Sequence, residues 1–255
     1  MSNHLSFWEH LDELRSVIVK SLCVWCVATI AAFFFKDWLF AFLFAPTQPD
    51  FVLYACLCRL SELTGWEGLC MEHIDIHFIN TELTAQFMAH LQVSMLAGLL
   101  CALPFIVYLG YGFVSPALYA HERYYGVLLL LFSSLLFVMG VAVSYLLIFP
   151  LSFRFLGSYQ VTSLVVNQIS LSSYMSLFFV LSVLMGLLFE VPIVTWFLSR
   201  MGILQRKHLC HYRRHVFVGI LILAAVITPT GDPFTLLLVT TPVYLLYELS
   251  IRIIR

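Results

Sequence analysis

Carboxylates directly ahead of an apolar run are the first side chains that could do chemistry in this chain. They lie in the segment Ser6–Arg15, where Ser6 and Glu9 have the spacing of a capping box that starts a helix. Apolar residues recur there at helical intervals, so one face is apolar and the acidic residues, Glu13 among them, face water. The pattern predicts a short amphipathic helix at the membrane surface that runs into a spanning helix. A solvated acidic face that only anchors the span is the simpler interpretation.

Glu122 is a second candidate, in the polar stretch Pro116–Arg123. Taken alone, it is an interfacial charge paired with Arg123. Together with Glu13 on the same side of the membrane, it could form a two-carboxylate receptor for a basic ligand. Arginine suits such a receptor because its planar guanidinium binds carboxylates in a bidentate way that lysine cannot reproduce.

Glu190 is the ionisable residue placed deepest in an apolar run, within Leu187–Pro192. A carboxylate inside the bilayer is costly, so it usually faces a bundle interior or a water-filled cavity and has a function. Pro192 adds an irregularity, because it frees a backbone carbonyl one turn earlier. The alternative is a protonated glutamic acid with a structural hydrogen bond.

The polar loop between the first two spans carries three of the seven cysteines. A disulfide between Cys70 and either Cys56 or Cys58 is expected in an oxidising compartment. Cys70, His73 and His77 have metal-compatible spacing but no fourth ligand, so no metal site is predicted. The chain also has no P-loop, nucleophile-elbow or zinc-protease motif, so we predict neither an enzyme nor a bound cofactor.

Composition determines which elements must position these residues. The 255-residue chain is 62% hydrophobic and 11% charged, whereas soluble domains are about 25% charged. Apolar runs of helical length predict an all-α integral membrane protein rather than a barrel. Six transmembrane helices are predicted, at about 17–35, 88–109, 126–149, 173–198, 215–228 and 234–250. The last two are short and form a hairpin, because Pro and Gly residues separate them.

Charge predicts the orientation of the spans. With the N-terminus inside, ten Lys and Arg residues lie on the cytoplasmic side and three on the outer side, which obeys the positive-inside rule. Both termini are therefore predicted to be cytoplasmic. Residues 1–255 are taken as one membrane domain, with a cytoplasmic amphipathic segment at 1–16 and a long outer loop at 36–87.

Several ordered fragments resemble the TatC family, the multi-spanning receptor subunit of the twin-arginine protein translocase. They extend over nearly the whole chain. They are Phe7–Arg15, Ala45-Pro46, Pro104–Tyr108, Phe113–Arg123, Phe189–Pro192, Thr228–Phe234 and Leu246–Glu248.

The resemblance implies a glove-like concave bundle in the bacterial inner membrane that binds twin-arginine signal peptides of folded precursors at its cytoplasmic face. Its implied partners are TatA- and TatB-type single-span proteins and further copies of the same chain, with no nucleic acid. Transport would be driven by the proton-motive force. By similarity, the signal-peptide site comprises Glu13, Leu14, Arg15, Phe113 and Glu122. Glu190 corresponds to the polar residue within the bilayer, and Pro46 and Asp232 correspond to outer-loop positions that matter for transport.

A proton-coupled secondary transporter of a small solute, using Glu190 as its coupling carboxylate, is the alternative function. Such folds usually contain inverted repeats with broken helices in both halves. In this chain the shortened and proline-interrupted spans cluster in the second half, which disfavours a transporter.

Overall fold

Long apolar helices make up nearly all of the structure, a computed structural model that describes residues 7–65, 78–114, 123–160, 162, 167–200, 202–228 and 232–254. The helices are α1 (Phe7–Phe33), α2 (Lys36–Phe44), α3 (Val52–Thr64), α4 (Ala85–Val114), α5 (Arg123–Val143), α6 (Phe149–Ser158), α7 (Leu171–Leu188), α8 (Val191–Arg200), α9 (Arg206–His211), α10 (Arg213–Ile227) and α11 (Pro233–Ile253). Five residues discussed above lie outside the described residues: Ser6, Cys70, His73, His77 and Glu122.

α1 and α4 form an antiparallel pair that is in contact along its whole length. The Trp25 indole N–H donates to the Met95 carbonyl at 3.0 Å. Towards the C-terminal end of α1, the Phe33 ring stacks on His90 with ring centroids 3.8 Å apart. One helical turn before Phe33, at Thr29, the two backbones approach so closely that only a glycine fits at position 98, as is common where membrane helices pack.

The region predicted as a long outer loop contains two helices, α2 and α3, joined by a 3₁₀ turn at Ala45–Thr47. Three tyrosine hydroxyls donate to carbonyls of α2 and the turn: Tyr145 to Phe42, Tyr174 to Leu43 and Tyr54 to Pro46, at 2.7, 2.8 and 3.0 Å. The last carbonyls of a helix have no partner within it. These bonds therefore satisfy the end of α2 and fix it to the bundle.

The main core lies where α2, α6 and α7 meet. Tyr174 is buried at its centre and contacts the edges of Phe149, Phe153 and Phe78. Phe78 belongs to β1 (Phe78–Ile79), which pairs in parallel with β2 (Ile169–Ser170). This short pairing joins the chain ahead of α4 to the chain ahead of α7.

α5 and α7 pack through glycines on both sides of their interface. A Cβ on Gly140 of α5 would lie 2.4 Å from the Met185 carbonyl oxygen, and one on Gly186 of α7 would meet the Phe137 ring. α5 is followed by a π-helical turn at Ser144–Ile148 and then by α6, with Pro150 in its first turn.

Within the described residues, six helical segments are long and apolar enough to cross a membrane by length and composition, so the predicted all-α membrane fold is confirmed. They are His10–Phe33, Lys36–Leu63, Ala85–Phe113, Leu129–Ser158, Leu171–Arg200 and Pro233–Ile253. The second of these is not one straight helix, because the chain breaks between α2 and α3. α3 has 13 residues and is about 20 Å long, shorter than the ~30 Å hydrocarbon core. α10, which the sequence predicts as the fifth span, has 15 residues and would need a locally thinner bilayer.

Candidate functional site

The structure brings the start of α1 and the end of α4 together. The His10 ring stacks on Phe113 with centroids 4.3 Å apart and an angle of 15° between the planes. Glu13 lies one turn after His10, and its Oε2 is 3.7 Å from the His10 Nδ1. Two residues that the resemblance assigns to one site, Glu13 and Phe113, are therefore neighbours of the same histidine. We call this end of the bundle the Glu13 end.

The Glu13 carboxylate is accessible to a ligand. Its side chain is 38% exposed, and 3.7 Å from the His10 nitrogen is longer than a hydrogen bond. Within the described part of the chain, no Lys or Arg lies within salt-bridge distance of Glu13. Leu14 beside it is half-buried and Arg15 is exposed. A cationic group can therefore approach this carboxylate without displacing a Lys or Arg of the described residues.

His10 is a site residue that the sequence reasoning missed. Its only signal in the sequence is its position three residues before Glu13, which places both side chains on one helical face. Its contact with Phe113 depends on how α1 and α4 are rotated about their axes. That rotation is set by the distant contacts at Trp25 and Gly98.

Glu190 lies at the break between α7 and α8. The Ile193 and Val194 N–H groups donate to the Glu190 carbonyl, both at 3.0 Å, and so start the new helix. Pro192 lies directly after the break, in the first turn of α8, and is buried. A proline is tolerated in that turn because its missing N–H would have no partner within the helix. The Ser133 hydroxyl of α5 donates to the Glu190 Oε2 at 2.8 Å. The sequence contains Ser133 only as one of two serines in an apolar run, so this pairing was not predicted.

An apolar cleft of about 390 Å³ lies beside this polar pair, between α5, α8 and α11. Phe132, Ile193 and Trp196 are among its lining residues, and Phe132 and Ile193 are close neighbours of Ser133 and Glu190 in the chain. A groove with such a lining can take an apolar segment, and the Ser133–Glu190 pair follows or precedes its lining residues in the chain.

Replacing Ser133 with Ala is expected to destabilise the protein by about 1 kcal/mol, because the partly buried Glu190 carboxyl loses its hydrogen bond. Thermal unfolding in detergent measures this change. Ser134→Ala is the matched control, since Ser134 is the adjacent serine on α5. The assignment is wrong if both variants unfold alike, or if a double-mutant cycle with Glu190→Ala gives no coupling.

Pro46 is fully buried in the 3₁₀ turn between α2 and α3. Its carbonyl accepts the hydrogen bond from the Tyr54 hydroxyl described above, and the Arg154 guanidinium lies over the Tyr54 ring, 4.6 Å from its centroid. The Tyr54 hydroxyl therefore holds the Pro46 carbonyl, and with it the turn, in place.

Asp232 is the N-cap of α11. Its Oδ2 accepts from the Thr235 backbone N–H at 2.7 Å, which satisfies one of the free donors at a helix start. The first turn of α11 also stacks Phe234 on Phe155 of α6, with centroids 4.2 Å apart. Asp232 therefore has a structural role that is independent of any transport role.

The two cysteines of α3 differ. Cys58 is disulfide-bonded, whereas Cys56 is exposed and carries a free thiol. The sequence left the choice between these two residues open. Cys58 is the bridged one of the two. Cys70 lies outside the described residues, so its pairing with Cys58 stays a prediction.

Comparison with known proteins gives a consistent result over nearly the whole chain. The family model described as "Sec-independent protein translocase protein (TatC)" matches residues 9–242. The TatC protein of Blattabacterium sp. subsp. Periplaneta americana is 31% identical, covering 98% of this chain and 95% of that protein. The TatC protein of Deinococcus radiodurans is 32% identical, covering 97% and 85%. A crystal structure described as the twin arginine translocase receptor TatC superposes with a TM-score of 0.75 at 30% identity, over 96% of this chain and 97% of that one.

Proposed function

The chain belongs to the TatC family of Sec-independent protein translocase subunits, and from that premise we propose that it binds twin-arginine signal peptides at its Glu13 end. It is a multi-pass protein of the bacterial inner membrane and a translocase component rather than an enzyme. Membership of the family supports the general function.

The observation that carries this proposal is the contact between His10 and Phe113. It places an accessible carboxylate, Glu13, next to an aromatic ring at the meeting point of two membrane helices. A guanidinium group fits such a place, because it can bind the carboxylate with two hydrogen bonds and stack on the aromatic face. Glu122, which follows α4 in the chain by a few residues, would supply the carboxylate for the second arginine.

The same proposal places the Glu13 end and both termini in the cytoplasm. Ten of the thirteen Lys and Arg residues then lie on the cytoplasmic side, in accordance with the positive-inside rule. Folded precursors carry their signal peptides on this side before export. The charge pattern and the proposed ligand therefore support the same orientation.

We further propose single-span proteins of the TatA and TatB type as partners, with a receptor complex that contains several copies of this chain. Glu190 and Ser133 beside the apolar cleft offer a polar contact within an apolar surface. One membrane helix with a single polar side chain matches that combination. The energy source is proposed to be the proton-motive force.

Site-specific photocrosslinking tests the binding site. A photoreactive residue at position 10 or 122, in membrane vesicles with the native partners, should crosslink to a precursor with Arg-Arg in its signal. The crosslink should disappear when that pair is Lys-Lys, because lysine lacks the bidentate geometry. Equal crosslinking to both precursors would show that the Glu13 end attracts positive charge without distinguishing arginine from lysine.

The alternative function, a small-solute transporter, finds no support in the comparisons. In a translocase, Glu190 can serve as a polar contact for a partner helix. Uptake of a small solute by liposomes that contain only this protein would revive the alternative.

A further inference from the structure

The chain between the end of α7 and the start of α11 is strongly basic. From Val191 to Gly231 the sequence has no Asp or Glu. It has five Lys and Arg residues and three histidines, which are Arg200, Arg206, Lys207, Arg213, Arg214, His208, His211 and His215. Glu248 of α11 binds one of them, Arg213, at 3.0 Å. The charge is confined to the short connection from α8 through α9 to α10, at the Glu13 end.

This connection has a defined backbone conformation. Gly202 adopts a left-handed conformation with φ of +74°, which a glycine tolerates without strain. The N–H groups of Ile203 and Leu204 then donate to the Leu198 carbonyl at 3.0 and 3.2 Å and close the end of α8. The chain therefore turns back at a fixed angle before α9 begins.

α9 is fixed to the bundle by one buried residue. Leu209 is 8% exposed and packs in a small core with Tyr247, Ile251 and Ile254. The Tyr247 hydroxyl donates to the Leu209 carbonyl at 2.8 Å. Arg206 and Lys207, on the same short helix, are exposed, so the anchor holds α9 in place while its cations face outwards.

A cleft of about 720 Å³ lies between the end of α8 and α9. Its polar lining comes from Ser199, Gln205, Arg206, Lys207 and Cys210. Among the described residues, none of those lining the cleft is acidic. It combines two cationic groups with a hydroxyl and an amide, which together suit the oxygen atoms of a phosphate group.

The cleft lies where two largely apolar helices, α8 and α10, meet the basic connection between them. The end of an apolar membrane helix is where lipid headgroups are expected. Ile203 and Tyr212, at the two ends of the connection, are 63% and 51% exposed. Apolar and aromatic side chains in such positions insert into the membrane interface, where they hold neighbouring basic residues against the headgroups.

We propose that this cleft is a binding site for the headgroup phosphate of an anionic phospholipid, with Arg206 and Lys207 as its charged ligands. The site is independent of signal-peptide binding and goes beyond the proposed function. The positive-inside rule accounts for basic residues somewhere in this connection. It does not require them to line a cleft together with Ser199 and Gln205.

Lipid binding can be measured by native mass spectrometry of the purified protein with phosphatidylglycerol and, separately, with phosphatidylcholine. The Arg206→Gln/Lys207→Gln variant should bind phosphatidylglycerol at least tenfold more weakly, because the phosphate loses both charge-assisted hydrogen bonds of the site. Arg214→Gln/Arg252→Gln removes the same charge from exposed positions that do not line the cleft, and should lose far less. If both variants lose the same affinity for phosphatidylglycerol, the lipid responds to the overall charge of this surface and the proposed site is wrong.

A second measurement uses the unmodified protein and does not depend on the folding of a variant. Cys210 lines the cleft and is exposed, and Cys56 on α3 is an exposed free thiol elsewhere. In nanodiscs, adding phosphatidylglycerol to phosphatidylcholine should slow alkylation of Cys210 by N-ethylmaleimide several-fold relative to Cys56. An unchanged ratio of the Cys210 and Cys56 alkylation rates would contradict the proposal. Equal protection of Cys210 by inorganic phosphate in phosphatidylcholine nanodiscs would also contradict it, because the ligand would then be a soluble anion.

Discussion

Replacing both Glu13 and Glu122 with Gln is expected to weaken binding of a twin-arginine signal peptide about 100-fold. Each Gln keeps the size of the side chain and one acceptor oxygen but loses the charge. A hydrogen bond to a charged group contributes about 1.5–3 kcal/mol, against about 0.5–1.5 kcal/mol for a neutral one. The loss is therefore about tenfold for each site. Fluorescence anisotropy of a labelled signal peptide with the purified protein measures it.

Asp12→Asn is the matched control for Glu13→Gln. Asp12 is the neighbouring carboxylate on α1 and is exposed, whereas Glu13 lies beside His10, which stacks on Phe113. Both variants remove one negative charge from the same turn of helix. If Asp12→Asn weakens binding as much as Glu13→Gln does, the signal peptide responds to the net charge of α1 and the proposed site is wrong.

Gly98→Ala is expected to destabilise the protein by about 1–3 kcal/mol, the usual cost of overpacking a closely packed interface. An added Cβ would lie 2.5–2.7 Å from atoms of Thr29, including its backbone nitrogen and Cα. A backbone cannot move aside as a flexible side chain can, so α1 and α4 must separate. Gly140→Ala should behave similarly, since its Cβ would lie 2.4 Å from the Met185 carbonyl oxygen. Thermal unfolding in detergent measures both.

Gly219→Ala is the control for these glycine substitutions. Gly219 lies on α10, and a Cβ there meets nothing within 4 Å. Alanine favours a helix over glycine by about 0.5–1 kcal/mol, so this variant should be as stable as the parent protein or more stable. If the Gly98→Ala variant is as stable as the Gly219→Ala variant, α1 and α4 are not in close contact at Thr29.

The separation of α1 and α4 has a functional consequence as well. The contact between His10 and Phe113 lies near the far end of the same helix pair. Gly98→Ala should therefore also weaken signal-peptide binding, although Gly98 is several helical turns from Glu13. Gly140→Ala, at the interface of α5 and α7, should lower stability without that effect on binding.

The sequence by itself determined the fold class, the family and the irregularity caused by Pro192. These features depend on properties that act locally along the chain. Apolar runs of sufficient length make membrane helices because the bilayer leaves backbone groups no other partner. Pro192 ends a helix because it has no N–H to donate and its ring disturbs the preceding turn. Neither effect requires knowledge of which helices are neighbours.

The tertiary structure decided which residues meet. His10 with Phe113, Ser133 with Glu190, and the three tyrosine hydroxyls on the end of α2 are contacts between residues far apart in the sequence. Their formation depends on how each helix is rotated about its axis and how far it is shifted along its neighbour. Close packing at Gly98, Gly140 and Gly186 sets these quantities, and hydropathy along a single helix carries almost no information about them.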